Sequence, residues 1–361
     1  MPTLYVAITN HGFGHATRAA SVVATVQQLR PDIDIVLATT APQWLLRSYI
    51  QPDRVTYRSV AFDIGVLQSD SMTMDKVATL EKLKWIRAHQ DEVLASEIEF
   101  IQTTGVDLIL GDIPPLVTQL AKAVDLPCWM MSNFGWDFIY RPWGGDFEVI
   151  ADWIADCFGL CDRLFRLPFH ESMTAFPHIT DVGLTGGIPK LTIEAVREKF
   201  GITTSKECTV LLTFGGLGLA RIPYAKALQA YPDWQFITFD RHAPTLPNLI
   251  KIPEIGLRPM DMMLACDRIV SKPGYSPFAE ACRLGLGVAT LPRQGFAEAP
   301  LLLDGIQQHA RHQILDSDTF FEGDWSFLDQ PLQPPLGNPL PKDGNDEIAQ
   351  AISSYLSDRN L

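Results

Sequence analysis

Leu4-Tyr-Val-Ala-Ile-Thr-Asn-His-Gly-Phe-Gly-His-Ala-Thr-Arg18 passes from an apolar run through a glycine turn into the head of a helix. Leu4 to Thr9 reads as a strand, about Ala16 to Leu29 as a helix and Ile33 to Ala38 as the next strand, which together make a βαβ unit. Further strands are expected at Val55 to Ser59, Val106 to Leu110 and Pro127 to Met131, and one long amphipathic helix over Met74 to Thr103. Successive crossovers of this kind imply a parallel sheet covered on both faces.

The pattern restarts at Thr209 to Phe214. A helix near Ile222 to Gln229 and the strand Trp234 to Phe239 follow, then Ile250 to Ile252, a short helix around Met260 to Ala265, the strand Arg268 to Ser271, the helix Pro277 to Leu284 and the strand Val288 to Leu291. The chain of 361 residues exceeds what one core usually serves, so two domains are expected. Val182-Gly-Leu-Thr-Gly-Gly-Ile-Pro189 is rich in chain-breaking residues and marks the hinge. The expected division is residues 1–185, residues 186–340, and a terminal helical segment, 341–361, that returns across the cleft after a proline-rich strap.

Composition narrows the function. At 47% apolar and 20% charged residues the chain has enough apolar content for packed cores. A net charge of −13 repels phosphate backbones and anionic lipid, so no nucleic-acid partner is expected. A local site can still take a diphosphate through backbone amides. The longest apolar stretches fall short of the about 20 residues a membrane helix needs, which leaves only peripheral membrane contact open. The amino terminus enters its first strand without a leader pattern, and a cytoplasmic protein is expected. The six cysteines show no paired spacing suited to zinc and read as buried thiols.

A turn after the first strand of an open α/β sheet faces the crevice where such sheets bind ligands. Gly12 and Gly14 permit close backbone approach and positive φ, but Thr17 stands where a dinucleotide fingerprint has its third glycine, and Ala38-Thr-Thr-Ala-Pro42 offers no acid for a ribose. No GxxxxGK[ST] loop occurs. The turn instead supplies two imidazoles. His15 is the first candidate base for a hydroxyl proton and His11 the second; packing or capping of the turn is the alternative for both. Asp112, after Val106 to Leu110, lies at the same sheet edge and either orients a histidine or caps the helix Leu116 to Ala123.

In the second half Phe214-Gly-Gly-Leu-Gly218 follows a strand, and Gly215, Gly216 and Gly218 can present amides to a pyrophosphate, with Arg221 just beyond. Asp267-Arg-Ile-Val-Ser-Lys-Pro-Gly-Tyr-Ser-Pro-Phe-Ala-Glu280 reads as strand, polar turn and helix. Amides around Gly274, Tyr275 and Ser276 suit a diphosphate, Lys272 adds charge, and Glu280 either accepts from ribose hydroxyls or serves the helix dipole. Asp316-Ser-Asp318, Asp32-Ile-Asp34 and the pair His309 and His312, placed on one helix, read as solvated or interfacial groups, so no metal is expected. The aromatic run from Trp129 to Phe158 forms either an acceptor wall or core.

With these motifs on the page, Gly12-Phe-Gly-His-Ala-Thr-Arg18 together with Lys272-Pro-Gly-Tyr275 and Glu280 resembles the GT-B family related to the lipid-II-forming N-acetylglucosaminyltransferase. It is nearest to the glycosyltransferase-like portion of L-arabinokinases. The resemblance implies two Rossmann-like domains with parallel sheets facing across a cleft. It implies a metal-independent glycosyltransferase without a cofactor, using a nucleotide sugar, UDP-sugar foremost, and a hydroxyl acceptor. On it, His15 faces the acceptor, Gly215, Gly216 and Gly218 form the phosphate-side loop, and Ser271, Gly274, Ser276 and Glu280 form the donor segment. Gln294 and Glu298 read sugar hydroxyls, and Met260, with Ile255 and Leu257, lies by the base or packs in the core. A nucleotide-sugar sensor without catalysis and a GT-B-fold epimerase are the rival expectations.

Overall fold

The computed structural model describes residues 1–69, 72–215, 218–219, 222–252 and 256–358. Gly216, Arg221 and Ile255, expected above to flank the donor, lie outside the described residues. Two compact units are present. The first comprises Met1–Ser69, Met74–Thr185 and the segment from Pro341 onward, and the second comprises Gly186–Leu340 with Met72 and Thr73.

The first unit carries strands β1 (Thr3–Ile8), β2 (Asp34–Ala38), β3 (Val55–Arg58), β4 (Leu108–Asp112), β5 (Cys128–Ser132), β6 (Arg163–Arg166) and β7 (Ile179–Asp181). They form one sheet in the order β3-β2-β1-β4-β5-β6-β7, every pair parallel. The second unit carries β8 (Thr209–Thr213), β9 (Gln235–Thr238), β10 (Leu249–Lys251), β11 (Arg268–Ser271), β12 (Gly287–Thr290) and β13 (His312–Ile314). Their order, β10-β9-β8-β11-β12-β13, repeats that of the first sheet without its last strand, again all parallel. Strand order reverses between β1 and β4 in one unit and between β8 and β11 in the other, which are the points where open α/β sheets bind ligands.

Burial follows the parallel-sheet pattern. All residues of β1 and β4 are buried, because helices cover both faces. In the second unit Phe236, Phe320 and Trp325 close a core against Val210, Val270 and Ala289. Cys128, Cys157, Cys161 and Cys266 are buried, and Cys208 and Cys282 are half-buried. No helix among the described residues is long and apolar enough to cross a membrane.

The expected single helix over Met74 to Thr103 is two. Lys76–Ala88 starts on Asp75, whose side chain accepts from Ala78 N, and Gln90–Thr104 ends on Gly105 in the left-handed region at φ 72°. His89 breaks the run: its φ of −115° is not helical, its ring stacks on Trp85 at 4.5 Å and its Nδ1 lies 2.8 Å from Trp85 O. Short β6 escaped the sequence pattern because it begins and ends in arginine. Arg163 lies over the Trp129 and Phe165 rings and Arg166 pairs with Asp181, so both charged ends are accommodated. His309 and His312 do not share a helix either; His309 ends the helix Glu298–His309, whereas His312 opens β13 and is buried. Asp316 is a helix cap, accepting from Thr319 N at 2.9 Å, and Asp32 and Asp34 pair with Arg30 and Arg54.

The terminal helix Gly344–Asp358 packs on Gly14–Leu29 within the first unit, with Arg30 donating to Ser353 O and to Ser357 Oγ. Its start is wedged against the segment before residue 185: Leu184 N donates to Pro341 O at 2.8 Å and Gly183 N to Glu347 Oε2 at 2.7 Å. A Cβ on Gly344 would stand 2.1 Å from Gly183 O, a backbone atom that no rotamer change can move. Gly344→Ala is therefore expected to destabilise the chain by about 1–3 kcal/mol, as overpacking does. A urea unfolding midpoint equal to that of the parent would contradict this.

Candidate functional site

Ile8 pairs with Asp112 across the first sheet, so the turn after β1 and the end of β4 sit side by side at the strand-order reversal. Of the two glycines in the turn, only Gly12 uses the left-handed region, at φ 58°. Gly14 instead begins the helix Gly14–Leu29 and does not use the freedom its lack of a side chain permits. After Asp112 the chain reverses at Ile113, a buried β-branched residue at φ 66°. Such a conformation costs about 1–3 kcal/mol and persists only where its surroundings impose it.

His15 Nδ1 lies 2.8 Å from Asp112 Oδ1, and both residues are buried, the carboxylate at 0% exposure. Arg18, one helical turn on, donates from Nε and Nη2 to the two Asp112 oxygens at 2.7 and 2.6 Å. Burial alone would raise the Asp112 pKa, but the Arg18 and His15 charges and hydrogen bonds outweigh it and hold the carboxyl below its usual range. His15 is pushed down from 6.5, first by burial and then by the Arg18 charge, against the pull of Asp112. The resting pair is thus a neutral imidazole beside an ionised carboxylate. Phe134 and Trp136 wall the imidazole, with ring centres 5.7 and 5.9 Å away, so the aromatic run is both core and part of this site.

His11 is placed differently. Val66 N donates to its Nδ1 at 3.1 Å, so a neutral His11 carries its hydrogen on Nε2 and offers a donor there rather than a base. Gly65 enforces this approach, because at φ 55° it sits where a Cβ would come within 2.4 Å of His11 Cβ. Sequence reasoning missed Asp63, which accepts from Thr9 Oγ1 and, at 2.8 Å, from Asn10 N. Burial lifts its pKa to about 6. No motif announces Asp63; it reaches the turn from an irregular segment. Arg18 did leave a signal, its spacing of three from His15 on one helix.

In the second unit Thr213 pairs with Ser271 at the corresponding edge. Gly215 and Gly218 follow β8 with φ of 80° and 67°. Gly274 is extended and precedes the helix Tyr275–Leu284 without a side-chain cap, so first-turn amides of a ten-residue helix lie at the edge. Lys272 is half-buried; Tyr275 and Ser276 are buried. Ser271 Oγ is buried without a hydrogen-bond partner. Glu298 opens its helix at 7% exposure, Gln294 is exposed, and Met260 is 1% exposed within Pro259–Met263, a core position.

Glu280 faces the Gly186–Gly187 backbone. It accepts a hydrogen bond from the Gly187 backbone, and its Cγ lies where a Cβ on Gly186 would come within 3.0 Å. Arg283 Nη1 donates to Gly187 O at 3.0 Å and Arg258 Nη2 to Ile188 O at 2.5 Å. Burial raises the Glu280 pKa to about 7, against the nearby Arg258 and Arg283 charges. Because the folded pKa lies above the ordinary 4.5, the native state holds a proton that the unfolded chain releases, and stability falls as pH rises from about 4.5 to 7. Glu280→Gln is expected to gain on the parent between pH 5 and pH 8, by up to about 3 kcal/mol. Paired urea melts with a pH-independent difference would overturn this.

Two all-parallel sheets of matching strand order, each with a glycine turn at its reversal point, define the GT-B fold of glycosyltransferases. A UDP-glucose:anthocyanidin 3-O-glucosyltransferase solved with UDP superposes at TM-score 0.64, 11% identity, over 99% of this chain and 94% of that one. The Phytolacca americana structure of UGT2 with UDP-2fluoro-glucose and pterostilbene superposes at TM-score 0.60, 11% identity, with the same 99% and 94% coverage. In sequence, the chain is 31% identical over 305 residues, 82% of its length, to L-arabinokinase of Arabidopsis thaliana. It spans 28% of that protein's length. No protein-family model matches.

Proposed function

We propose that this chain is a metal-independent glycosyltransferase that moves a sugar from a nucleotide-diphosphate sugar, a UDP-sugar foremost, to a hydroxyl acceptor. The observation that carries the reading is the buried contact of 2.8 Å between His15 Nδ1 and Asp112 Oδ1 at a sheet edge suited to ligands. With Nδ1–H donated to the carboxylate, His15 Nε2 keeps its lone pair and accepts the acceptor hydroxyl's proton as the oxygen attacks the sugar carbon. Asp112 stabilises the imidazolium that forms. The bond from the sugar carbon to the diphosphate oxygen breaks, and the negative charge leaves with the nucleotide.

The second unit's edge supports the donor half of the reading. Left-handed Gly215 and Gly218 allow close backbone approach, and the amides of the first turn of Tyr275–Leu284 suit a diphosphate. The buried Ser271 hydroxyl, at a cost of about 1–3 kcal/mol while unbonded, suits a polar donor group. A UDP ligand agrees with the UDP and the UDP-2fluoro-glucose bound in the two structural neighbours.

Binding without transfer is the second reading; the burial of Glu280 against Gly187 bears on both readings alike, since that carboxylate is not presented to a ribose. The test is a panel of UDP-sugars radiolabelled in the sugar, incubated with hydroxyl acceptors in EDTA. Label passing to an acceptor supports transfer, and label retained on the nucleotide with every donor and acceptor rejects it.

A further inference from the structure

Arg18 binds more of Asp112 than His15 does. Besides its two bonds to the carboxylate, its Nη1 donates to Asn133 Oδ1 at 2.8 Å and its Nη2 to Ser132 Oγ at 3.0 Å. The residue is 2% exposed, and its partners come from the ends of β4 and β5 and the residue after β5. The same Nη2 lies 2.9 Å from His15 Nδ1, the nitrogen that also faces Asp112. Nδ1 thus stands between an anion and a cation, and holds at most one hydrogen. Nη2 has two hydrogens. An ionised Asp112 Oδ1 only accepts, so its 2.8 Å contact with Nδ1 needs the hydrogen on Nδ1, and the two Nη2 hydrogens then go to Asp112 Oδ1 and Ser132 Oγ.

We propose that Arg18 is a positioning residue for the base: by bonding both oxygens of Asp112 as well as Ser132 and Asn133, it fixes the carboxylate in the place where it takes the hydrogen of His15 Nδ1. A second consequence follows from its charge. A guanidinium bonded to both oxygens offsets the carboxylate that would otherwise favour imidazolium, so His15 stays neutral in the resting protein. The charged and titratable groups around the imidazole are Arg18 on its own helix, Asp112 from β4 and His11 from the turn, its ring centre 6.1 Å away; Phe134 and Trp136 from the segment after β5 add no charge. The lowered His15 pKa is consistent with this arrangement.

The proposal rests on the reading of His15 as a base for its functional meaning, but its test needs no substrate. Nitrogen NMR of the histidine-labelled full chain, with His15 assigned by loss of its signals in His15→Asn, reports tautomer and titration directly. The parent is expected to show one neutral form with hydrogen on Nδ1 and a midpoint below the ordinary value of about 6.5. Arg18→Gln is expected to raise the midpoint by about one unit or more, and Arg18→Lys, which keeps charge but not the fork, by less. Hydrogen on Nε2 in the parent, or a parent midpoint at or above about 6.5, overturns the proposal without any variant. A folded Arg18→Gln with unchanged tautomer and midpoint overturns it too. Failure of the transferase reading would appear in the transfer assay and leave these spectra as they are.

Discussion

His15→Ala is expected to lower sugar transfer by about 10²–10⁴-fold, the range over which a positioned general base contributes. The loss should fall on kcat, because the imidazole acts on the proton that moves during attack. Binding of the donor should persist. The comparison to make is kcat and donor affinity for parent and variant, alongside circular dichroism and unfolding midpoints that show the variant intact. A variant that transfers sugar at the parental rate removes His15 from the mechanism. A variant that loses donor affinity and turnover together assigns His15 to binding.

The second large effect is on stability. Asp112→Ala leaves the Arg18 guanidinium, 2% exposed, without the anion that two of its nitrogens contact. Truncating one partner of a buried ion pair costs about 3–5 kcal/mol, mainly because the remaining charge stays buried and uncompensated. Asp112→Asn, which still accepts from Arg18, should cost less. A loss below about 1 kcal/mol in urea unfolding of Asp112→Ala would mean that solvent reaches Arg18 and that the cluster is not the closed one described. The pH dependence has a definite sign as well. A carboxyl held below its usual range contributes stability that is present above its ordinary pKa and lost as pH falls through the lowered one.

The architecture was legible where local chemistry and global topology agree. Apolar strands followed at once by glycine turns occur at Leu4–Gly12 and again at Thr209–Gly215, and they mark the first strand of each sheet. The last strands of each sheet were harder to read. β6, β7 and β13 have three or four residues each and carry polar ends that resemble loop, and their pairing is decided by neighbours distant in sequence. His89 shows the converse: the periodicity of Met74 to Thr103 holds across a break that a side-chain bond to Trp85 O accompanies.

At the site, His15 and Asp112 could be located because each follows from a strand end. Their electrostatics could not, since Arg18 meets Asp112 through the pairing of β1 with β4, and Ser132 and Asn133 reach Arg18 through the pairing of β4 with β5. Glu280 shows what a motif leaves out. Its position in the helix Tyr275–Leu284 was read from sequence, but its burial against Gly187 depends on how the segment after Thr185 runs over that helix.

The most direct test of the central claim, that a nucleotide-sugar site exists on this fold, is a thermal-shift panel of nucleotides and nucleotide sugars. A ligand at about 100 times its Kd stabilises the folded state by about 2.7 kcal/mol. The account predicts that a uridine diphosphosugar raises the unfolding temperature, that free uridine gives a smaller shift, and that His15→Ala keeps the response. No shift with any diphosphosugar would contradict it.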